Sequence, residues 1–161
     1  MKTLALLLAL IAGPAWSQAL NPDVTQANIG STICVPGWSA SVRPSSSYTG
    51  AIKRRLLKQA SLPLSSMSKY ELDHVVPLSI GGAPRDPKNL RLQPWAGPDG
   101  AHAKDVLEVA MHRAVCKRRI TLEVARECMA GDWHSCRSRG RASHARQRPR
   151  FTASAGGATW I

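Results

Sequence analysis

The chain lacks a hydrophobic run long enough to cross a bilayer, which takes about 20 apolar residues. Its longest run, Leu4–Ala12, is roughly half of that length and is ended by Pro14. One lysine precedes the run and Ala15-Trp16-Ser17 follows it, a layout typical of a cleavable secretory signal peptide rather than of a membrane anchor. We therefore predict a signal peptide over residues 1–17, cut before Gln18, and a secreted or periplasmic protein that does not insert into a membrane.

The chain also lacks any CxxC pair, which excludes the commonest spacing of a cysteine zinc site. Its four cysteines are expected to be oxidised outside the cytoplasm. Four cysteines allow three pairings, and the sequence alone does not choose among them. We favour Cys34–Cys116, which would tie the N-terminal arm to a central helix. Cys128 and Cys136 would then pair across a turn at Gly131.

Acidic residues are scarce, since 10 Asp and Glu face 22 Lys and Arg for a formal charge of +12. The segment 137–161 holds six arginines and no acid, with few apolar residues, and we predict a basic disordered tail there. A strongly basic exported protein has polyanions as natural partners, namely nucleic acid, anionic lipid or acidic polysaccharide. Charge does not choose among them, and a solvated basic surface without a specific ligand is also compatible with it.

No internal repeat is present, and the length suits one domain over 18–136 followed by the tail. Residues 18–47 are rich in Ser, Pro, Asn and Gly, which predicts an irregular arm with one short strand. Thr49 can cap a helix that runs to about Ala60. Thr121 can cap a last helix to about Ala130, which Gly131 would stop.

The central segment is predicted to form a strand, a turn, a second strand, a loop and a helix, in that order. Tyr70 to Pro77 favours a strand, Gly81-Gly82 a turn, and Asn89 to Gln93 a second strand. A glycine-containing loop then leads into a helix over Ala101 to Val115. The predicted apolar stripe of this helix consists of Val106, Leu107, Ala110, Met111 and Ala114.

The string ELDHVVPLSIGGAPRDPKNLRLQP, followed by AHAKD, resembles the HNH, or His-Me finger, nuclease family. It is most similar to small exported bacterial members in which DH, PL, GG, NL and KD recur in this order. His74 precedes Asn89 by 15 residues, and Asn89 precedes His102 by 13. The flanking pieces NPDVTQANIGSTICVPGW, VRPSSSYT and VCKRRITLEVA extend the likeness over roughly residues 21–133.

The resemblance implies an α+β fold with a ββα-metal core, a two-stranded antiparallel ribbon and a helix, surrounded by further helices. It implies an endonuclease that hydrolyses DNA or RNA. His74 would activate water, and Asn89 would bond the loop backbone and hold that histidine. Asp73 would bind one divalent ion, Mg, Mn or Zn, with His102 as the ligand from the helix. Adjacent strand residues point to opposite faces, so a bend or bulge is expected to bring Asp73 and His74 to one site.

Several basic residues flank these positions and are candidate phosphate contacts. They are also typical of solvated surfaces, so each has an ordinary structural explanation. Two other functions stay open, a nucleic-acid-binding module that has lost catalysis and a cationic protein that binds the cell envelope. No protein partner is implied. The candidate nucleic-acid contacts are Lys53, Arg54, Arg85, Lys88, Arg91 and Lys104.

Overall fold

A computed structural model describes residues 19–136, so the predicted signal peptide and basic tail lie outside the described residues. This part of the chain is a mixed α and β structure with a two-stranded antiparallel sheet, which agrees with the predicted α+β class. The regular elements are α1 (Trp38–Val42), α2 (Ser46–Gln59), β1 (Tyr70–His74), β2 (Leu90–Pro94), α3 (Ala101–Cys116) and α4 (Leu122–Ala130). Short 3-10 helices lie at Gln26–Ser31, Leu64–Lys69, Leu78–Ile80 and Pro87–Asn89.

The two strands pair in an unbroken register from Tyr70 opposite Pro94 to His74 opposite Leu90. The register therefore excludes a bulge within this ribbon, which was one of the two predicted irregularities. Since the pleat is regular, successive side chains of β1 point to opposite faces. β1 also ends earlier than predicted, because the chain turns into the 3-10 helix Leu78–Ile80 soon after His74.

Helix α2 begins one turn earlier than predicted. Its N-cap is Ser45, whose hydroxyl accepts a hydrogen bond from the N–H of Tyr48 at 3.4 Å, so Thr49 lies inside the helix. The buried face of α2 centres on Leu57, which is fully enclosed, and the helix packs against both strands.

The N-terminal arm is more ordered than its composition predicts. It contains the 3-10 helix Gln26–Ser31 and α1, and from residue 19 to 47 its β pairing is a single bridge between Leu20 and Gly82. Val24, Ile29 and Ile33 are buried in the main core, where they meet apolar residues of α3 and α4. The apolar residues of the arm therefore fix it against the rest of the domain.

The buried face of α3 is rotated from the predicted apolar stripe. Val106 is 70% exposed, and Ala110 is also exposed. The residues that face inward recur at three- and four-residue spacing, as one helix face requires. They are Ala101, Lys104, Leu107, Met111 and Val115. A lysine thus stands at a core-facing position that an apolar pattern does not reveal.

Helix α4 has the predicted boundaries. The hydroxyl of Thr121 accepts the N–H of Val124 at 3.2 Å, and Gly131 is the C-cap residue.

The structure pairs Cys34 with Cys116 and Cys128 with Cys136, as favoured from the sequence. The first disulfide joins the arm to the end of α3 across a sequence separation of 82 residues. Two disulfides are typical of a protein in an oxidising, extracytoplasmic environment. Within residues 19–136, no helix has both the length and the apolar character that crossing a membrane requires.

The Gly81-Gly82 pair has no room for side chains. Gly81 has a φ of +78°, and a Cβ there would lie 2.3 Å from the guanidinium of Arg126. That guanidinium is buried and donates to the carbonyls of Ile80, Val24 and Gly81, so it cannot withdraw cheaply. A Cβ at Gly82 would lie 1.8 Å from the carbonyl oxygen of Val76.

We predict that Gly82→Ala lowers the free energy of unfolding by about 3 kcal/mol, because the new methyl group must push backbone apart in a packed loop. Gly30→Ala is the matched control, since a Cβ there meets nothing within 4 Å. Urea unfolding of the two variants checks this. Equal stabilities would contradict the close approach of the loop backbone at Gly82.

Candidate active site

His74 is the last residue of β1, and 7% of its surface is exposed. Its Nε2 lies 3.1 Å from the carbonyl oxygen of Pro84. A carbonyl oxygen only accepts hydrogen bonds, so a neutral imidazole must carry its proton on Nε2. The contact therefore leaves Nδ1 as the nitrogen with a free lone pair, which is the form a general base needs.

Asn89 holds the loop that carries Pro84. It is completely buried, and its Oδ1 accepts the N–H of Val76 at 2.7 Å. Its Nδ2 donates to the carbonyls of Val76 at 3.0 Å and Ala83 at 2.9 Å. Because Ala83 directly precedes Pro84, these bonds fix the carbonyl that orients His74. Asn89 thus forms backbone hydrogen bonds of the kind that the resemblance implies, while its part in catalysis stays a prediction.

The surroundings of His74 favour its neutral form. Burial is the largest cause and lowers the pKa of the imidazole, since a charged ring would lose hydration. The positive charges of Arg43 and Lys104 lower this pKa further, while the Pro84 hydrogen bond and the charge of Asp73 oppose the shift. His74 is therefore available as an unprotonated base near neutral pH.

Arg43 is a candidate site residue that the sequence reasoning missed. It follows α1, is exposed, and acts electrostatically on both His74 and Glu71. The sequence signal for it was its place in VRPSSSYT, one of the flanking pieces on which the predicted family resemblance rests. Only the folded structure brings Arg43, 31 positions earlier in the chain, near enough to act on His74.

Asp73 is held by two cations instead of being open to solvent. Its two carboxylate oxygens lie 2.8 and 2.7 Å from Nζ of Lys104, and the Nε of Arg91 lies 3.2 Å from Oδ2. The side chain of Lys104 is 1% exposed. Lys104, predicted as a phosphate contact, is therefore buried as the ion-pair partner of Asp73.

His102 lies on the exposed face of the first turn of α3. Its ring centroid is 5.4 Å from that of Trp95, with the two planes tilted by 31°. The inward-facing side chains of this turn are those of Ala101 and Lys104. The structure thus brings Asp73 together with Lys104, and it places the His102 ring against Trp95.

One cluster of three in the described part could hold a metal ion, and Asp73 is not a member of it. It consists of Cys34, His112 and Cys116, whose donor atoms lie within 4.8 Å of one another. Thiolate and imidazole ligands suit zinc. Both sulfurs are joined in a disulfide, so the full set of donors becomes available only after reduction.

The other candidate nucleic-acid contacts differ in exposure. The guanidinium of exposed Arg85 lies 5.2 Å from the ring centroid of Tyr48, whose hydroxyl donates to the Arg85 carbonyl at 3.0 Å. This anchors a positive charge next to Pro84. Arg91 is half-buried and occupied by Asp73 and Gln93. Arg54 and Lys88 are exposed, while Lys53 is half-buried on α2.

Comparisons of the chain with protein-family models, with curated proteins and with solved structures find no match.

We predict that Asn89→Asp destabilises the protein by at least about 2 kcal/mol, because a buried carboxylate oxygen would face two carbonyl oxygens and lose both hydrogen bonds. Asn28→Asp is the matched control. Asn28 also bonds backbone through both side-chain atoms, but those bonds are exposed to water, so a loss below about 0.5 kcal/mol is expected. Thermal unfolding compares the two, and similar losses would contradict a buried loop-holding role for Asn89.

Proposed function

We propose that this protein is an exported endonuclease of the HNH, or His-Me finger, type that hydrolyses phosphodiester bonds of DNA or RNA. In this proposal β1, β2 and α3 correspond to the ββα core of the family. The observation that carries the proposal is the bond from Nε2 of His74 to the Pro84 carbonyl within the loop held by Asn89. It gives a neutral imidazole with Nδ1 free to accept a proton.

The proposed hydrolysis needs a proton acceptor for the attacking water. His74 takes a proton from water through Nδ1 while the water oxygen attacks phosphorus. The leaving oxygen departs with the electrons of its bond to phosphorus and is protonated by solvent. A positioned base of this kind accelerates a reaction by about 100- to 10,000-fold.

Arginine side chains would bind the phosphate backbone. Arg43 and Arg85 are both exposed. Arg43 acts electrostatically on His74, and Arg85 follows Pro84, whose carbonyl bonds the His74 ring. A guanidinium can bond phosphate through two N–H groups, which both attracts and orients the substrate. The predicted tail would add positive charge to the same polyanion.

The resemblance also implies one divalent ion, Mg, Mn or Zn, bound by Asp73 and His102. The residues in the described structure do not fit this ion. Both oxygens of Asp73 bond a buried ammonium, and the His102 ring packs beside Trp95 on the exposed face. The mechanism proposed here therefore contains no step that uses a metal.

One observation favours an inactive nucleic-acid-binding module as the second candidate. An Asp73 that is neutralised by Lys104 is compatible with a fold that has kept its phosphate contacts and lost its catalysis. The two candidates differ in what His74 does, because a binding module does not need it as a base.

We predict that His74→Ala lowers plasmid nicking by about 100-fold or more while the protein stays folded. His134→Ala is the matched control. His134 is paired with exposed Asp99, and its loss should leave nicking unchanged. Nicking by folded His74→Ala at the wild-type rate would rule out the proposed base.

We predict that the nicking rate rises with pH through the pKa of His74 and then levels off, because protonation removes the lone pair on Nδ1. The midpoint should lie below the ordinary histidine value of 6.5, since burial lowers this pKa. Arg43→Gln should move the midpoint upward, because removal of a nearby positive charge stabilises the protonated ring. A midpoint at or above 6.5 in the wild type would contradict the proposed environment of the base.

A further inference from the structure

The ammonium of Lys104 has all three of its donor positions filled. Two acceptors are the carboxylate oxygens of Asp73, at 2.8 and 2.7 Å, and the third is the carbonyl of His74. An ammonium group has three N–H donors, so this set satisfies it completely. One buried cation thus joins α3 to the end of β1, at the residue proposed as the base.

The start of α3 fixes Lys104 in this position. Gly100 is the N-cap residue, and the N–H of Lys104 bonds its carbonyl at 3.2 Å. A Cβ at Gly100 would lie 2.6 Å from the carbonyl carbon of Ala96, so the preceding loop lies directly against the first turn. The core-facing Leu107 and Met111 follow Lys104 on the same face. The helix start and the core therefore direct the side chain towards β1.

The carboxylate of Asp73 already has two cationic partners. Lys104 and Arg91 both pair with this one carboxylate. Glu71 and Glu108 each lie near enough to Asp105 to interact with it electrostatically, and Asp105 is on the exposed side of α3.

The spacing of possible metal ligands also disfavours a divalent ion at Asp73. Within residues 19–136, the group of three His, Cys, Asp or Glu residues at metal-binding distances is the disulfide cluster, and Asp73 does not belong to it. An ion that bound Asp73 would have to displace the Lys104 ammonium from its hydrogen bonds. The ammonium would then be an unpaired charge in the protein interior, which is strongly unfavourable.

We propose that Lys104 is the resident cation of Asp73, a positioning residue that takes the place of a divalent ion and holds β1 against α3. The protein then binds no divalent ion at Asp73 and needs none to keep the His74 site in shape. Metal-independent cleavage is the part of this inference that rests on the proposed function. The binding and stability consequences do not depend on it.

The test measures thermal unfolding and bound metal without reductant, so that Cys34 and Cys116 stay paired and cannot take the ion. We expect the melting temperature of the wild type to be the same in EDTA as with Mg²⁺ or Mn²⁺. Lys104→Met should melt about 10 °C or more lower, because it leaves a buried carboxylate with one partner. Mn²⁺ should restore part of that loss, since the ion can then reach Asp73.

The double variant Asp73→Asn/Lys104→Met keeps the inference testable if the single variant does not fold. It removes both charges, so it should fold and show no response to Mn²⁺. Lys58→Met, at an exposed lysine of α2, is the matched control and should behave as the wild type does. A rise in the melting temperature of the wild type with Mn²⁺ that Asp73→Asn abolishes would overturn the proposal.

Nicking in EDTA separates this inference from the proposed function. Cleavage that depends on His74 and persists in EDTA supports both. Cleavage that depends on His74 but requires added metal, with Asp73→Asn unable to bind it, overturns the resident cation and leaves the nuclease. If no condition gives nicking and added metal does not change the melting temperature, the nuclease proposal fails while the assignment of Lys104 stands.

Discussion

The structure around the candidate site depends on the buried amide of Asn89. Its three hydrogen bonds close the loop between Val76 and Ala83, and this loop presents the Pro84 carbonyl to His74. The close approach of Gly82 to the Val76 carbonyl is possible only because a side chain is absent there. One amide side chain thus determines the loop conformation, the tautomer of His74 and the need for glycine.

A second buried contact, between Asp73 and Lys104, connects this loop and ribbon to the helical part of the core. The two contacts divide the polar residues of β1 between its faces, because the regular pleat sends Asp73 towards α3 and His74 towards Pro84. Neither contact requires a bulge, since the two partners lie on opposite faces of β1. Burial is the main cause of the lowered His74 pKa, and the positive charges of Arg43 and Lys104 lower it further.

Much of this arrangement was predictable from local patterns. The order of strand, glycine turn, strand and helix follows from residue types, and the caps of α4 follow from Thr121 and Gly131. The sequence did not reveal the rotation of α3, because its apolar residues cover more than one face and the buried line includes Lys104. The core role of Ile29 and Ile33 was also hidden, since it depends on contacts with α3 and α4 that are distant in sequence.

The most direct test of this account is nitrogen-15 NMR of the His74 ring, because it reports which ring nitrogen carries the proton. The account predicts a neutral ring near neutral pH with the proton on Nε2, and a pKa below the ordinary histidine value. A ring protonated on Nδ1, or one that is already charged at neutral pH, would contradict it. Either result would remove the lone pair that the proposed hydrolysis requires.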